Sequence, residues 1–455
     1  MLVNFQVKNF KSLYPAVNFS MVASAVKRHP SHVAEIEGHG ILRSSFLFGA
    51  NAAGKSNFVK AIDFAKQVIV SGLSETSCDG CQFRLNPKDP AETGVFQFTI
   101  HSEKHFYEYG FAVSYFTASI VSEWLSIVDG DKDSKLVFSC DWTRPGSIPA
   151  TEFELAGDEK KRFEVYRDDA AHAKSRKVTF LSEIAEKGNL RSNDRFFGHF
   201  VDVYDWFRHL IVIFPQSYYG GMAQYVFDSK ARNELGVLLN RFDTGIERLD
   251  SQEVDPEKVF SQLPSEKREK LKAELIDNLT KDREHMASLT LLGSWYLVRF
   301  YNGVLRFQKV AANHGLKTDL FDLEDESDGT KRLYDLLPLH GIFSKSKGAV
   351  VVIDELDRSL HTRATHEFIA DFFRQADGRS SQLIATTHDA SVLDLDLLRQ
   401  DEIWFVERDE DHRSNLFPLT KFKARFDKDI RKDYLLGRYG ALPIFKSIDI
   451  AGDWK

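Results

Sequence analysis

Apolar and polar residues interleave at the start of the chain, with Asn4, Gln6 and Lys8 set between Val3, Phe5, Val7 and Phe10. That period of two predicts a strand with one buried face. Phe46, Leu47 and Phe48 form a second short apolar strand, and from Lys55 the residues Phe58, Val59, Ile62, Ala65 and Val68 recur at helical spacing on one face. Between the two lies a turn, Gly49 to Gly54. After a loop with turn residues, Asn86 to Pro90, alternation returns in Gly94 to Ile100 and in Tyr107 to Val113, and the β-rich texture runs on to about Val165. From about Lys174 the period becomes helical, with a strand-like break at Leu210 to Pro215. Ser265 to Leu275 carries mixed charges at helical spacing and predicts a solvated helix. Leu289 to Val310 is apolar and aromatic enough to predict a buried or interface helix, although arginines and a glycine interrupt it. Val350 to Ile353 is a continuous apolar run of the kind a central parallel strand buried on both faces requires. Gln382 to Thr387 predicts one more strand, and no repeat or sustained heptad array is visible.

The first turn has chemistry in it. Gly49-Ala50-Asn51-Ala52-Ala53-Gly54-Lys55-Ser56 fits G-x-x-x-x-G-K-[ST] between a predicted strand and a predicted helix. Small residues let successive backbone N–H groups curl around a phosphate at a helix N-terminus. The candidate nucleotide-binding set is therefore Gly49, Asn51, Ala52, Ala53, Gly54, Lys55, Ser56 and Asn57. Lys55 would reach the β- and γ-phosphates, and Ser56 offers a hydroxyl to Mg²⁺, a hard cation that takes only a few protein oxygens.

A phosphate loop alone does not separate kinases, GTPases and ATPases, so a partner carboxylate is needed. Val350 to Ile353 leads into Asp354-Glu355, and ligands sit at the carboxyl ends of such strands. Asp354 is placed to hold Mg²⁺ or its waters, and Glu355 to polarise an attacking water. The paired acids argue for hydrolysis. Gln382 to Thr387 ends in His388, which could hydrogen-bond a γ-phosphate or the water through one ring nitrogen. Upstream, Ser327 and Gly329 begin a helix and offer a hydroxyl and free N–H groups with the positive end of the helix dipole behind them, though a plain helix cap reads the same way.

Composition narrows the class. The chain has 455 residues, 43% hydrophobic and 28% charged, with a formal charge of −7. It is long enough for two or three domains. The negative total excludes a uniformly basic coat; a local basic groove for nucleic acid is compatible with it and unsupported. No apolar run is long enough to span a bilayer and no leader layout opens the chain, so a cytoplasmic location is expected. Three cysteines suit a reducing compartment. Cys78-Asp79-Gly80-Cys81 lacks the second half of a zinc site and reads as a loop with two spare thiols.

The ordered set resembles the ATP-binding-cassette (ABC) ATPases, in the branch shared with SMC and recombination-repair proteins. Gly49 to Ser56 is similar to Walker A, Val350 to Glu355 to Walker B with its catalytic glutamate, Leu356 to His361 to the D-loop, and His388 to the switch histidine. Glu326 to Thr330 resembles the signature motif, with Asp328 where the family carries glycine. Phe5 to Ser12 resembles the first strand of the branch. Asp401 to Asp409, Leu416 to Phe422 and Tyr434 to Pro443 resemble the ending of bacterial RloA/AbiLi-type ATPases, which are linked with phage defence and paired with an effector of the RloB type. The resemblance implies an α/β fold, an ABC-type P-loop core of mixed and parallel sheet flanked by helices with a mainly helical insertion. It implies a first part of the core over 1–170, the insertion over 171–315 and the rest of the core over 316–455. It also implies ATP and Mg²⁺ as cofactors and a head-to-tail dimer. In that dimer each ATP is held by Lys55, Ser56 and Asp354 of one subunit and closed by Ser327 and Gly329 of the other, with Asp357 in the D-loop nearby. Gln97 and Gln216 are the candidates for the Q-loop glutamine.

Rival readings separate on particular residues. A self-contained nuclease of the OLD type would need a Toprim domain, and only Glu407, Asp409, Glu410 and Asp411 resemble its acids. The apolar runs on either side make that cluster a hairpin turn. Fewer than seventy residues follow His388, short of a catalytic domain of about 100 residues. A DNA-tethering repair ATPase would show long heptads. A small-molecule kinase has no use for the signature-like segment.

Overall fold

The computed structural model describes residues 1–85, 91–129, 132–144, 146–172, 175–187, 195–215, 228–281, 286–291, 294–315, 320–322, 325–346, 348–422 and 429–442. The expected Asn86–Pro90 turn, Lys174, Gln216 and Pro443 lie outside them. The chain divides into two compact units, one of Met1–Pro215, Ser346–Leu356 and Ala376–Lys455, the other of Gln216–Lys345 and Asp357–Gln375. These units cut the chain differently from the three stretches read from the sequence.

In the first unit the chain runs through β1 (Leu2–Phe10), β2 (Leu13–Ser20), a β3–β4 ribbon (Val33–Ile36, His39–Leu42), β5 (Ser44–Phe48) and α1 (Lys55–Ser71). It continues through β6 (Gly94–Ser102), β7 (His105–Ser114), β8 (Ser119–Asp129), β9 (Lys132–Asp141), α2 (Gly157–Ala171), α3 (Phe180–Ala185), α4 (Gly198–His209) and β10 (Ile211–Ile213). The alternating strands form an antiparallel sheet in the order β2-β1-β6-β7-β8-β9. The face of α1 predicted from its spacing is buried, Phe58 packing edge-on against Phe5 and Phe19. Residues 171–215 belong to this unit because Phe180, Phe200 and Phe207 are fully buried in its core rather than in a separate insertion.

The second unit holds α5 (Ser229–Arg241), β11 (Arg248–Val254), α6 (Pro256–Ser261), α7 (Ser265–Lys281), β12 (Met286–Leu291), β13 (Ser294–Tyr301), β14 (Val304–Asn313), β15 (Leu320–Asp322), α8 (Asp328–Leu336) and α9 (Pro338–Lys345). The helix expected over Leu289 to Val310 is instead the β12–β13–β14 meander. Asn302 and Gly303 both take positive φ, 51° and 78°, the two-residue primed turn that joins twisted antiparallel strands. One side of this sheet packs Leu297 and Val310 with Leu235, Leu239 and Leu333; the other packs Val298 and Phe307 with Phe260 and Leu279. The insertion thus carries a sheet as well as helices.

The chain returns to the first unit as β16 (Val350–Ile353), gives α10 (Thr362–Ala376) to the second unit as far as Gln375, and completes the first with β17 (Gln382–Thr386), β18 (Ile403–Arg408), β19 (Ser414–Pro418) and α11 (Ile430–Leu435). The resulting sheet has the order β10-β16-β17-β5-β18-β19, parallel except for the β18–β19 hairpin. An antiparallel sheet and a largely parallel sheet around α1 form the expected mixed α/β architecture. Among the described residues no helix is long and apolar enough to cross a membrane.

One buried polar group in this core gives a testable pH profile. Tyr107 donates to Asp202 at 3.2 Å and lies 3.0 Å from His199 Nδ1. Burial, reinforced by Glu103 and Asp205, pushes the Asp202 carboxyl up to about 6, while burial lowers His199 to about 4. A raised carboxyl stabilises the fold below its unfolded value, and that contribution is lost as pH rises through about 6. His199 has the opposite slope over nearly the same window, so the two offset each other. Asp202→Asn should therefore match the parent near pH 4 and exceed it by about 1–2 kcal/mol above pH 7, after allowance for partial solvent screening. Urea unfolding across this range measures the difference; one that does not change with pH rules the account out.

Candidate nucleotide site

Because β5, β16 and β17 run parallel, their carboxyl ends open on one edge; Gly49 and Asp354 follow directly from β5 and β16, and His388 comes two residues after the end of β17. The loop after β5 is shaped by the β18–β19 hairpin. A Cβ on Gly49 would lie 2.3 Å from the Val406 carbonyl oxygen, and one on Gly54, whose φ is +112°, would lie 2.0 Å from Ser414 Oγ. Ala52 also takes a left-handed φ of 61°, so the tight curl of the loop is held by backbone conformation as well as by small side chains.

Lys55 is buried, and its ammonium donates to the carbonyls of Gly49 at 2.7 Å and Ala50 at 3.0 Å and lies 3.3 Å from His388 Nδ1. His388 is an exposed residue. Asp354 Oδ1 accepts from Ser56 at 3.2 Å and from Thr386 at 2.6 Å. Thr386 also takes the Glu355 N–H at 2.8 Å, and its carbonyl takes the Leu356 N–H at 2.9 Å. These bonds hold Glu355 at φ 49°, a left-handed conformation costing about 1–3 kcal/mol outside glycine. Lys55, Ser56, Asp354 and His388 thus converge on one loop, with Glu355 adjacent. Asn51 is exposed at the loop tip, whereas the Asn57 side chain is engaged in donating to Ser12 Oγ at 2.7 Å.

A hydroxyl and a carboxylate 3.2 Å apart beside a buried ammonium suit a hard divalent cation carried by an anionic ligand. The glycine-lined curl, which any side chain would fill, suits phosphate oxygens. The residues present therefore fit ATP and Mg²⁺.

Ser327, Gly329 and Asp357 belong to the second unit. Ser327 is exposed and caps α8, its Oγ accepting the Thr330 N–H at 3.1 Å. A Cβ on Gly329 would approach the Ser359 carbonyl oxygen to 2.8 Å, so the signature-like turn and the D-loop-like turn touch. The acids near the end of the chain are engaged in backbone contacts: Asp409 accepts the Arg413 N–H within the β18–β19 turn, and Glu407 accepts the Ala441 N–H from beyond α11. Cys78 and Cys81 are buried free thiols, Cys81 raised to about 11 by burial. Among the described residues no group of three or more His, Cys, Asp or Glu side chains could hold a metal ion. Gln97 lies within β6, paired with Gly110 and Gln6. Thr386, Ser12 and Ser414 support the site without standing out in the sequence; the hydroxyl that closes the buried strand β17 is the available signal for Thr386.

The family model described as "AAA domain, putative AbiEii toxin, Type IV TA system" matches residues 44–394, from the first residue of β5 to beyond His388. The chain belongs to this AAA family. No curated protein sequence matches it. Among solved structures it is similar to an SMC head bound to the C-terminal winged-helix domain of ScpA, with TM-score 0.43 and 14% identity, covering 93% of this chain and 99% of that one. It is also similar to the SMC head domain from Thermotoga maritima, with TM-score 0.36 and 12% identity, covering 92% and 98%. A third is the Pyrococcus furiosus Smc head with an extended coiled coil bound to the C-terminal domain of ScpA, with TM-score 0.36 and 15% identity, covering 93% and 97%. As an AAA family member the chain is of a nucleotide-binding class, and the matched span contains Gly49 to Asn57, Asp354, Glu355 and His388.

Proposed function

We propose that this chain binds ATP with Mg²⁺, hydrolyses it, and uses the bound nucleotide to close a head-to-tail dimer that controls a separately encoded effector in bacterial anti-phage defence. The observation carrying this reading is the convergence of Lys55, Ser56, Asp354 and His388 on one glycine loop. The backbone N–H groups of that loop and Lys55 would hold the phosphates, with Lys55 exchanging its carbonyl partners for phosphate oxygens. Ser56 and Asp354 would hold Mg²⁺, which when bound neutralises charge on the phosphates. Glu355 accepts a proton from the attacking water and His388 orients it. The exposed N-terminus of α8, at Ser327 and Gly329, serves the nucleotide of the other subunit. ATP then stabilises the dimer by mass action, and hydrolysis releases it. A defence role in the cytoplasm, with an effector of the RloB or other Toprim-like type, is supported by the resemblance of the chain's ending. The family's description as part of a two-component toxin system is consistent with it.

The composite arrangement is tested by complementation. Lys55→Ala and Ser327→Arg should each abolish ATP hydrolysis. Mixed, they form heterodimers in which one site carries both lesions and the other neither. Recovery of about a quarter of wild-type phosphate release is expected, since half the dimers are mixed and each keeps one of two sites. A mixture as inactive as its components, with both variants folded and wild type active, overturns the shared site.

A further inference from the structure

We infer that Ser414, over 350 residues from the phosphate loop in sequence, aims the Gly54 N–H of that loop by anchoring the Ala53 carbonyl. This rests on the reading that Gly49 to Ser56 holds phosphate.

Ser414 opens β19 and is fully buried. Its Oγ lies 2.6 Å from the Ala53 carbonyl oxygen and 2.7 Å from Ser12 Oγ, and Ser12 Oγ accepts from Asn57 Nδ2 at 2.7 Å. The Ser414 hydroxyl is placed to donate to both the Ala53 carbonyl and Ser12 Oγ. A carbonyl only accepts and a hydroxyl has a single proton, so anchoring Ala53 uses the Ser414 proton and requires Ser12, whose oxygen accepts from Asn57, to supply the proton between the two serines. The Ser414 N–H donating to the Ser12 carbonyl at 2.7 Å fixes its backbone as well.

The consequence follows from the planar trans peptide, in which C=O and N–H point in opposite directions. Holding the Ala53 carbonyl toward the hairpin turns the Gly54 N–H away from it, toward the concave side of the loop. Gly54 has no side chain because Ser414 Oγ occupies the space. Ser414 and Ser12 are thus positioning residues that act through the Ala53–Gly54 peptide.

The test uses the full chain and measures ADP and ATP binding with Mg²⁺ by calorimetry for wild type, Ser414→Ala, Ser12→Ala and the double variant. Ser414→Ala should weaken both nucleotides about ten-fold, while hydrolysis at saturating ATP stays within about two-fold of wild type. A purely structural serine would lower thermal stability without this split between affinity and turnover. Ser12→Ala should cost about two- to three-fold, and the double variant should be no weaker than Ser414→Ala alone, since Ser12 acts through Ser414. Unchanged affinity in folded Ser414→Ala overturns the inference. If Ser414→Ala does not fold, unchanged affinity in Ser12→Ala does so. A wild-type chain that binds no nucleotide defeats the proposed function instead, so the two failures are distinct.

Discussion

Glu355→Gln is expected to bind ATP and Mg²⁺ as wild type does, to release phosphate about 10²–10⁴-fold more slowly, and to persist as a dimer while ATP is present. The size of the loss follows from what the substitution removes. Glutamine keeps the shape and the hydrogen-bonding oxygen but cannot take a proton from water. The backbone that presents residue 355 is fixed independently of its side chain, by Thr386 Oγ1 on the Glu355 N–H and the Thr386 carbonyl on the Leu356 N–H. The left-handed φ of 49° should therefore survive the change. Asp354→Asn makes the contrast. It leaves the Ser56 and Thr386 hydroxyls with an acceptor but removes the charge that would hold the cation, so it should fail at binding rather than at turnover. Phosphate release and size-exclusion chromatography with ATP, ADP and no nucleotide separate the two. A Glu355→Gln protein that stays monomeric with saturating ATP removes the main support for a nucleotide-closed dimer. If the dimer is trapped, whatever co-purifies with it identifies the partner.

How far the sequence reveals this site depends on how local each part is. Strand, glycine loop and helix are contiguous from Phe46 to Val68, so residue spacing alone displays them. Asp354, Glu355 and His388 are legible because each follows an apolar run that can only be a buried strand, and parallel strands bring their ends to one edge. The supporting contacts are not legible. Ser12 and Ser414 meet at |i−j| of 402, and Thr386 meets Asp354 across two strands; nothing in the local pattern of any of them points to the other. The error over Leu289 to Val310 has a different origin. Its run of apolar residues gives no clean period, and the deciding signal was the Asn302-Gly303 pair, whose two positive φ angles close a hairpin. The helical texture from about Lys174 predicts an insertion; α3 and α4 form there, followed further on by strands β11 to β15. Its aromatics, Phe180, Phe200 and Phe207, are buried in the first unit, and periodicity cannot say which core a face will join.

The second large effect is expected at Gly49, where an alanine should disrupt the site through the sheet beneath it. The φ of Gly49 is not in the left-handed region, so a side chain there meets no conformational penalty and the cost is purely steric. The added Cβ would sit 2.3 Å from the Val406 carbonyl oxygen and 3.2 Å from its carbon, far inside contact distance. A clash with a flexible side chain can be relieved by rotation. Val406, however, is backbone of a central strand, paired with Leu416 on one side while β18 pairs with β5 on the other. Moving it means parting β5 from β18 or lifting the loop off the hairpin. Overpacking of this kind costs about 1–3 kcal/mol and more where backbone must shift. Gly49→Ala should therefore lower the unfolding midpoint by several degrees and weaken ATP binding together with it. Gly348→Ala is the matched control: its Cβ would lie at ordinary contact, 3.5 Å from Ser380, and its effect should stay within about 0.5 kcal/mol. Thermal unfolding and nucleotide titration of both variants decide the matter. Equal behaviour of the two alanines would mean that the loop does not rest on the hairpin as described.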